Sequence, residues 1–313
     1  MASKMPAARD ANGNRITIEM AENGSFEKPL KCEFCDASVS FVNGHPREVG
    51  EDIVFVEPFF RLAPKSTHHE GCNYNSVGQL TVIARESDGD VFMAISNNQF
   101  ELRLLAVKKA LDQLIELAKT KKSLTDDKNL ISQQKEYIAS EEKLGAYINS
   151  AKRVLKVRSV CEDHAEIENL LTLVFDGVSV PWSDFYFEDT DYFRCYQQLK
   201  NSTTQIPIAV HGTIKSIKTV PGKKENFSVV NLVRPMRNMD EADARKVACT
   251  SIWSPDVNFF SDYREGQTII AFGMWQWKPE SRIANSKANS PIKTFVNYEM
   301  RLWPVAKSQI CAA

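Results

Sequence analysis

Nowhere in this 313-residue sequence does an apolar run approach the roughly 18 residues that a helix needs to cross a bilayer. A helical membrane span is therefore excluded. The opening residues, M-A-S-K-M-P-A-A-R-D, lack the hydrophobic stretch of a secretory signal, so the expected location is a reducing cytoplasm. Structural disulfides are uncommon there, and the 7 cysteines are expected as free thiols or metal ligands. Net charge is scarce too, since 39 Lys/Arg against 40 Asp/Glu leave −1. The balance is uneven along the chain: from residue 201 onward 15 Lys/Arg face 9 Asp/Glu, and the remainder carries the acidic surplus. A polyanion contact is thus expected on the carboxy-terminal part. The rest of the composition, 25% charged and 43% hydrophobic, is that of a globular protein long enough for two or three domains.

What is present is a quartet of metal-ligating residue types, Cys32, Cys35, His68 and Cys72, in the stretches K-C-E-F-C-D and S-T-H-H-E-G-C-N-Y. Zinc takes thiolate sulfur and imidazole nitrogen tetrahedrally, and two close pairs on two turns supply four such ligands. His69 gives a His-x2-Cys alternative to the His-x3-Cys of His68. With all four positions filled and none left for water, one structural Zn²⁺ is expected, whose binding energy is folding energy. A redox role for Cys32 and Cys35 lacks the βαβ setting of thioredoxin-like motifs. Around the quartet, A-N-G-N-R-I-T-I-E, V-S-F-V-N-G-H-P-R and D-I-V-F-V-E-P-F-F-R-L read as short strands and turns.

Three stretches, A-x-D-A-N-G-N from Ala8, C-E-F-C-D-A from Cys32 and F-F-R-L-A-P-x3-H-x3-C-N-Y from Phe59, together resemble the amino-terminal zinc ribbon of CoiA-like competence proteins of bacteria. The resemblance covers about residues 8 to 75 and implies a zinc-bound module attached to nucleic-acid-handling machinery, bacterial or phage-borne. The sequence departs from it at Phe59 and Phe60, where such ribbons often carry a histidine, and no carboxylate-and-lysine nuclease core follows. Nuclease activity is accordingly not carried over.

Farther along, Q-L-T-V-I-A-R and D-V-F-M-A-I-S flank E-S-D-G-D as a hairpin would, closing a zinc-ribbon/β module over 1–98. Phe100, Leu104, Val107, Leu111, Leu114 and Leu117 then recur at helical spacing, and a second helix is expected from about Asn129 to Val157, with Ser123 or Thr125 as its cap. These helices, with the aromatic and acidic connector up to residue 200, form a middle domain over 99–200. They invite protein contacts, including a second copy of the chain. In the connector, Asp176, Asp184, Glu188, Asp189 and Asp191 are the only candidates for metal-dependent nuclease chemistry, and they lack histidine or lysine at a telling spacing.

From residue 201 to 313 the text turns to five short strands, with Gly212 where the first must bend or be closely approached and Gly273 in the fourth. The expected fold is α+β: zinc ribbon, helical hairpin and a five-stranded OB-like barrel. Alternation separates Ile270, Phe272 and Met274 from Ile269, Ala271, Gly273, Trp275 and Trp277. If the first set fills the barrel, Trp275 and Trp277 project outward beside Lys278 and Arg282, a platform for stacking bases. Lys215, Lys218, Lys223 and Lys224 flank the first hairpin as phosphate contacts, and Trp253 is a further stacking candidate. The function expected is binding of nucleic acid, single-stranded DNA ahead of RNA, without catalysis. The alternatives are a protein-protein adaptor that uses the ribbon or helices, and a metal-dependent nuclease.

Overall fold

The computed structural model describes residues 4–49, 52–69, 72–96, 98–123, 131–161, 167–222, 226–239, 241, 243–286 and 290–313. It is a mixed α+β protein, richer in strands than in helices, and divides into two compact units: Met1–Leu102 with Arg153–Leu173, and Arg103–Lys152 with Val174–Ala313.

The first unit begins with a small antiparallel sheet of β1 (Ala7–Arg9), β2 (Arg15–Thr17) and β3 (Lys31–Cys32), in the order β2-β1-β3. The Asp10 carboxylate makes its first turn by accepting the Asn12 and Asn14 N–H groups at 2.9 and 2.8 Å, while Gly13 takes a φ of 81° that a side chain would oppose. The short helix α1 (Ile18–Glu22) follows, capped by Thr17. Beyond the sheet, β4 (Val39–Val42) pairs with β7 (Phe59–Leu62), and β5 (His45–Val49) pairs with β6 (Asp52–Val56). The apolar run D-I-V-F-V-E-P-F-F-R-L is therefore two strands, broken at Glu57–Pro58.

The stretch Q-L-T-V-I-A-R is not a strand. It lies in helix α2 (Ser76–Glu86), where the Asn75 side chain caps the start by accepting the Gly78 N–H at 3.1 Å, and Ser76, Leu80 and Ile83 form the buried stripe. A short apolar run fits either period, and the cap decides it. The hairpin instead joins β8 (Phe92–Ser96) to β9 (Gln99–Arg103), so Phe100 belongs to a strand and the helical spacing takes hold at Leu104. Helix α3 spans Leu104–Ser123 and α4 spans Ile131–Ser159, burying Leu104, Val107, Leu111, Leu114, Leu144, Ile148, Val154 and Leu155. Thr125 lies outside the described residues and Ser123 ends α3.

In the second unit a hairpin turn at Asp176 and Gly177 leads from β10 (Leu171–Phe175) into β11 (Val178–Val180), followed by α5 (Trp182–Phe185), β12 (Tyr186–Phe187) and α6 (Tyr192–Asn201). A large curled sheet then takes up the rest of the chain. Its strands are β12, which pairs in parallel with β13, and then β13 (Ile208–Pro221), β14 (Asn226–Leu232), β15 (Met236–Asn238), β16 (Ala244–Ser254), β17 (Thr268–Gly273), β18 (Gln276–Trp277), β19 (Ser281–Ala284), β20 (Thr294–Leu302) and β21 (Ile310–Ala312). The long β13 gives its first half to β17 and its second half to β14, with Gly212 and a register shift between Ile214 and Ser216 where the partners change. β14 continues to β16, which runs parallel to β20, and β20 pairs with β18. Since only Met274 and Trp275 separate β17 from β18, the chain itself leads from β17, next to one end of the sheet path, back to β18 at the other.

Inside this curl lies one apolar core, with Ile214, Val230, Leu232, Ile252, Ile269, Ala271, Met300 and Leu302 from the strands and Trp275 from the link between β17 and β18. Helix α6 adds Phe193 and Tyr196, whose rings meet Tyr298 edge-on at 5.5 and 5.1 Å.

Candidate functional site

The first candidate site gathers in the first unit. Cys32 ends β3, held by its own N–H to the Ala37 carbonyl at 2.8 Å, and the Arg9 guanidinium clamps the turn by donating to the carbonyls of Cys32 and Cys35 at 3.1 and 3.0 Å. Two N–H groups point at sulfur in matching positions: Phe34 donates to Cys32 Sγ and Tyr74 to Cys72 Sγ, each at 3.4 Å. Both turns are thus shaped to present a thiolate.

The four ligand atoms lie within 4.8 Å of one another. Cys32 Sγ is 3.7 Å from Cys72 Sγ, and His68 Nδ1 is 3.5 Å from both Cys35 Sγ and Cys72 Sγ. A tetrahedral zinc with bonds of about 2.3 Å to sulfur and about 2.0 Å to nitrogen has S···S edges of about 3.8 Å and S···N edges of about 3.5 Å. The donor set therefore fits a metal ion of that size. His69 is exposed and contributes its carbonyl to the Cys72 N–H instead, which settles the choice between the two histidines. Burial pushes the Cys32 thiol up and the Cys72 thiol up to about 12, and keeps His68 neutral by lowering its pKa. Burial also raises Cys35, but the N–H groups of His69 and Ala37 and the adjacent sulfurs outweigh it and bring that thiol below its ordinary value. Two buried and two half-buried ligands drawn this close together make a site that a dication completes.

Among the described residues no other such group forms. Asp184 and Asp191 of the connector both face the Arg194 guanidinium, at 3.6 and 3.3 Å, and Asp176 sits in the turn after β10. The aromatics between them are the buried part: Trp182, Phe185, Tyr186, Phe187 and Tyr192 are all under 2% exposed.

The second candidate site is the outward face of the curled sheet. Because Val230, Ile252, Met300 and Leu302 point into the core, their strand neighbours Val229, Trp253 and Arg301 point out. Register aligns the outward residues in rows. One row joins Lys218 on β13, Val229 on β14 and Trp253 on β16; the next joins Asn231, Ser251, Arg301 and Gln276. At the near end of the face the rings of Phe227, Trp253 and Trp303 form a cluster, Trp303 lying 5.6 Å from Phe227 and 5.7 Å from Trp253. The Arg301 guanidinium stacks over Trp253 at 4.8 Å, held by Glu299 at 2.6 Å. Lys215, Lys218 and Arg234 are exposed around it, and burial raises the Cys249 thiol above its ordinary value against the opposing charges of Arg234 and Lys215.

Of the stacking and phosphate residues expected from the sequence, Trp253, Lys215 and Lys218 belong to this face. Trp275 does not: it is 2% exposed, inside the core, and the inward set is Ile269, Ala271 and Trp275 rather than Ile270 and Phe272. Alternation could not decide, because β17 is buried on both sides, with β21 paired at its edge and the Gln309 amide donating to the Phe272 carbonyl. Trp277 packs edge-on to Tyr196 of α6 and stands opposite the inward Met300. The aromatic cluster on the outward face is thus Phe227, Trp253 and Trp303, not Trp275 and Trp277. Arg282 is held by two bonds to Glu241, 3.0 and 2.9 Å, while Lys278 remains exposed. Lys223 and Lys224 lie outside the described residues. Trp303, Arg301 and Arg234 carried no local signal; they join the site through the parallel pairing of β16 and β20 and the turn after β14.

The chain matches no known family model and no curated protein. No helix among the described residues is long and apolar enough to cross a membrane.

Proposed function

We propose that this protein binds single-stranded nucleic acid, DNA in preference to RNA, through the outward face of an OB-type barrel, and that a structural zinc ion holds a ribbon of the CoiA-like kind in its first unit. The observation that carries the reading is the ring cluster of Phe227 and Trp253, both half-buried, and the exposed Trp303, with Arg301 stacked on Trp253 and Lys218 in the same row as Trp253. Single-strand binders combine stacking surfaces with a basic groove because every base has a π-face and every nucleotide a phosphate, each stack being worth roughly 1–3 kcal/mol. A five-stranded Greek-key barrel of this type offers its second and third strands as the ligand face. Here those strands are β14 and β16, which carry Phe227 and Trp253.

Zinc supplies a cross-link between the two turns that hold Cys32, Cys35, His68 and Cys72. Three thiolates and one imidazole suit zinc above the harder divalent ions, and a closed set of four leaves no place for a reacting water.

The test is fluorescence anisotropy of labelled single-stranded DNA, duplex DNA and RNA over a salt series, with Trp253→Ala/Trp303→Ala alongside. Tight binding to the single strand that weakens steeply with salt and falls in the variant is the expected result. Absence of binding to all three at low salt would replace the reading with that of a protein-protein adaptor.

A further inference from the structure

The outward face does not end at the aromatic cluster. Followed from Trp253 back to Arg245, β16 extends about 26 Å at about 3.3 Å per residue. At its far end another row crosses four strands: Asn238 on β15, Arg245 on β16, Phe295 on β20 and Ile283 on β19. Beside this row is a cavity of about 360 Å³ whose walls include Met236, Asn238, Arg245, Ile292 and Phe295. Two apolar side chains here are open to solvent, Met236 of the cavity wall at 63% exposed and Ile283 of the adjoining row at 52%.

We propose that this cavity takes one unstacked nucleobase at the end of the bound single strand, so that the strand is held at two points, by stacking at Trp253 and Trp303 and by insertion at Phe295. The inference rests on the nucleic-acid reading above and deepens it. Three features favour a base. The cavity lies at the small end of the range for ligand pockets, about 300–1,000 Å³, enough for one nucleoside. Its lining joins an aromatic ring and aliphatic groups, which suit the faces of a base, to the Asn238 amide, which offers both a donor and an acceptor to a base edge. Its position on the same face, with Arg245 in the row, puts it about four nucleotides from the cluster, within the usual single-barrel site size. The wall opposite the strands is fixed by Asn285, whose side chain donates to the Ile292 carbonyl at 2.8 Å and whose N–H donates to the Lys293 carbonyl at 2.7 Å.

An abasic scan tests this. A labelled oligonucleotide of eight thymidines, with a single abasic nucleotide moved through each position, is titrated into the full-length protein, into Phe295→Ala and into Asn238→Asp. The second variant alters an exposed side chain and so leaves folding alone. We expect a loss of about tenfold when the abasic nucleotide is at one end, and disappearance of that positional loss in both variants, while the sensitivity to Trp253→Ala persists. A scan with no end effect, or an end effect unchanged in both variants, would overturn the cavity assignment and leave the aromatic face standing. Failure of every oligonucleotide to bind would overturn the reading on which it rests. If sedimentation instead reveals a dimer that Met236→Glu dissociates without changing oligonucleotide affinity, the apolar rim is an interface between copies and the proposal is wrong.

Discussion

Replacing Gly212 by alanine tests how β13 is bent and closed over α6. A methyl group there would land on the Tyr192 hydroxyl oxygen and come within 3.3 Å of Leu232 Cδ1 and Tyr192 Cζ. Tyr192 is fully buried and its hydroxyl donates to the His211 carbonyl at 2.9 Å, so the ring cannot retreat without breaking that bond. The lost hydrogen bond costs about 0.5–1.5 kcal/mol, and overpacking of a filled core about 1–3 kcal/mol. Against these stands a gain of about 0.4–1 kcal/mol from a stiffer unfolded chain. Gly212→Ala should therefore destabilise the second unit by about 2–3 kcal/mol, a fall in melting temperature of about 4–12 °C for a unit of this size. Tyr192→Phe removes the atom in the way, at the cost of its hydrogen bond. Urea unfolding of both single variants and the double variant measures the coupling, and the double should be more stable than the sum of the singles predicts by about 1–2 kcal/mol. A neutral Gly212→Ala, or strict additivity, would refute the account of this close approach.

Three further outcomes are expected. One zinc per chain should be found by elemental analysis and lost in Cys35→Ser together with cooperative unfolding of the first unit; a folded, metal-free wild type would count against the structural site. Trp275→Ala should cost about 3–5 kcal/mol in urea unfolding, as for a buried aromatic, and Trp303→Ala, 37% exposed, far less; equal costs would mean that the inward and outward faces are misassigned. Lys218→Gln should reduce the salt slope of single-strand binding by about 1, whereas Arg282→Gln, already neutralised by Glu241, should leave it unchanged.

The candidate metal site was legible in the sequence because its chemistry is carried by residue type and local spacing: four uncommon side chains in two close pairs. Even the choice of His68 over His69 was posed there, though only the fold could answer it. Four strands of the second unit were also legible, since β13, β14, β16 and β20 each coincide with a run bounded by turn residues; β15, β19 and β21 lie outside the five strands expected, and the expected fourth strand is divided into β17 and β18. Helix α2 was not, because Leu80, Val82 and Ile83 suit a strand as well as a helix until the Asn75 cap is seen to engage Gly78. Trp275 failed for a different reason. Period-two alternation assigns faces but not which face is inside, and a strand covered on both sides gives no polar residues to break the tie. Trp303 and Arg301 illustrate the remaining limit, as they reach Trp253 by a parallel pairing about fifty residues away, which no local pattern encodes.

The most direct test of the proposed interface is ultraviolet cross-linking of single-stranded DNA to the full-length protein, followed by mass spectrometry of the adducts. Adducts on the peptides bearing Phe227, Trp253 and Trp303 are the predicted result. Adducts confined to the first unit or to Trp277, or none at concentrations where binding is saturated, would contradict it.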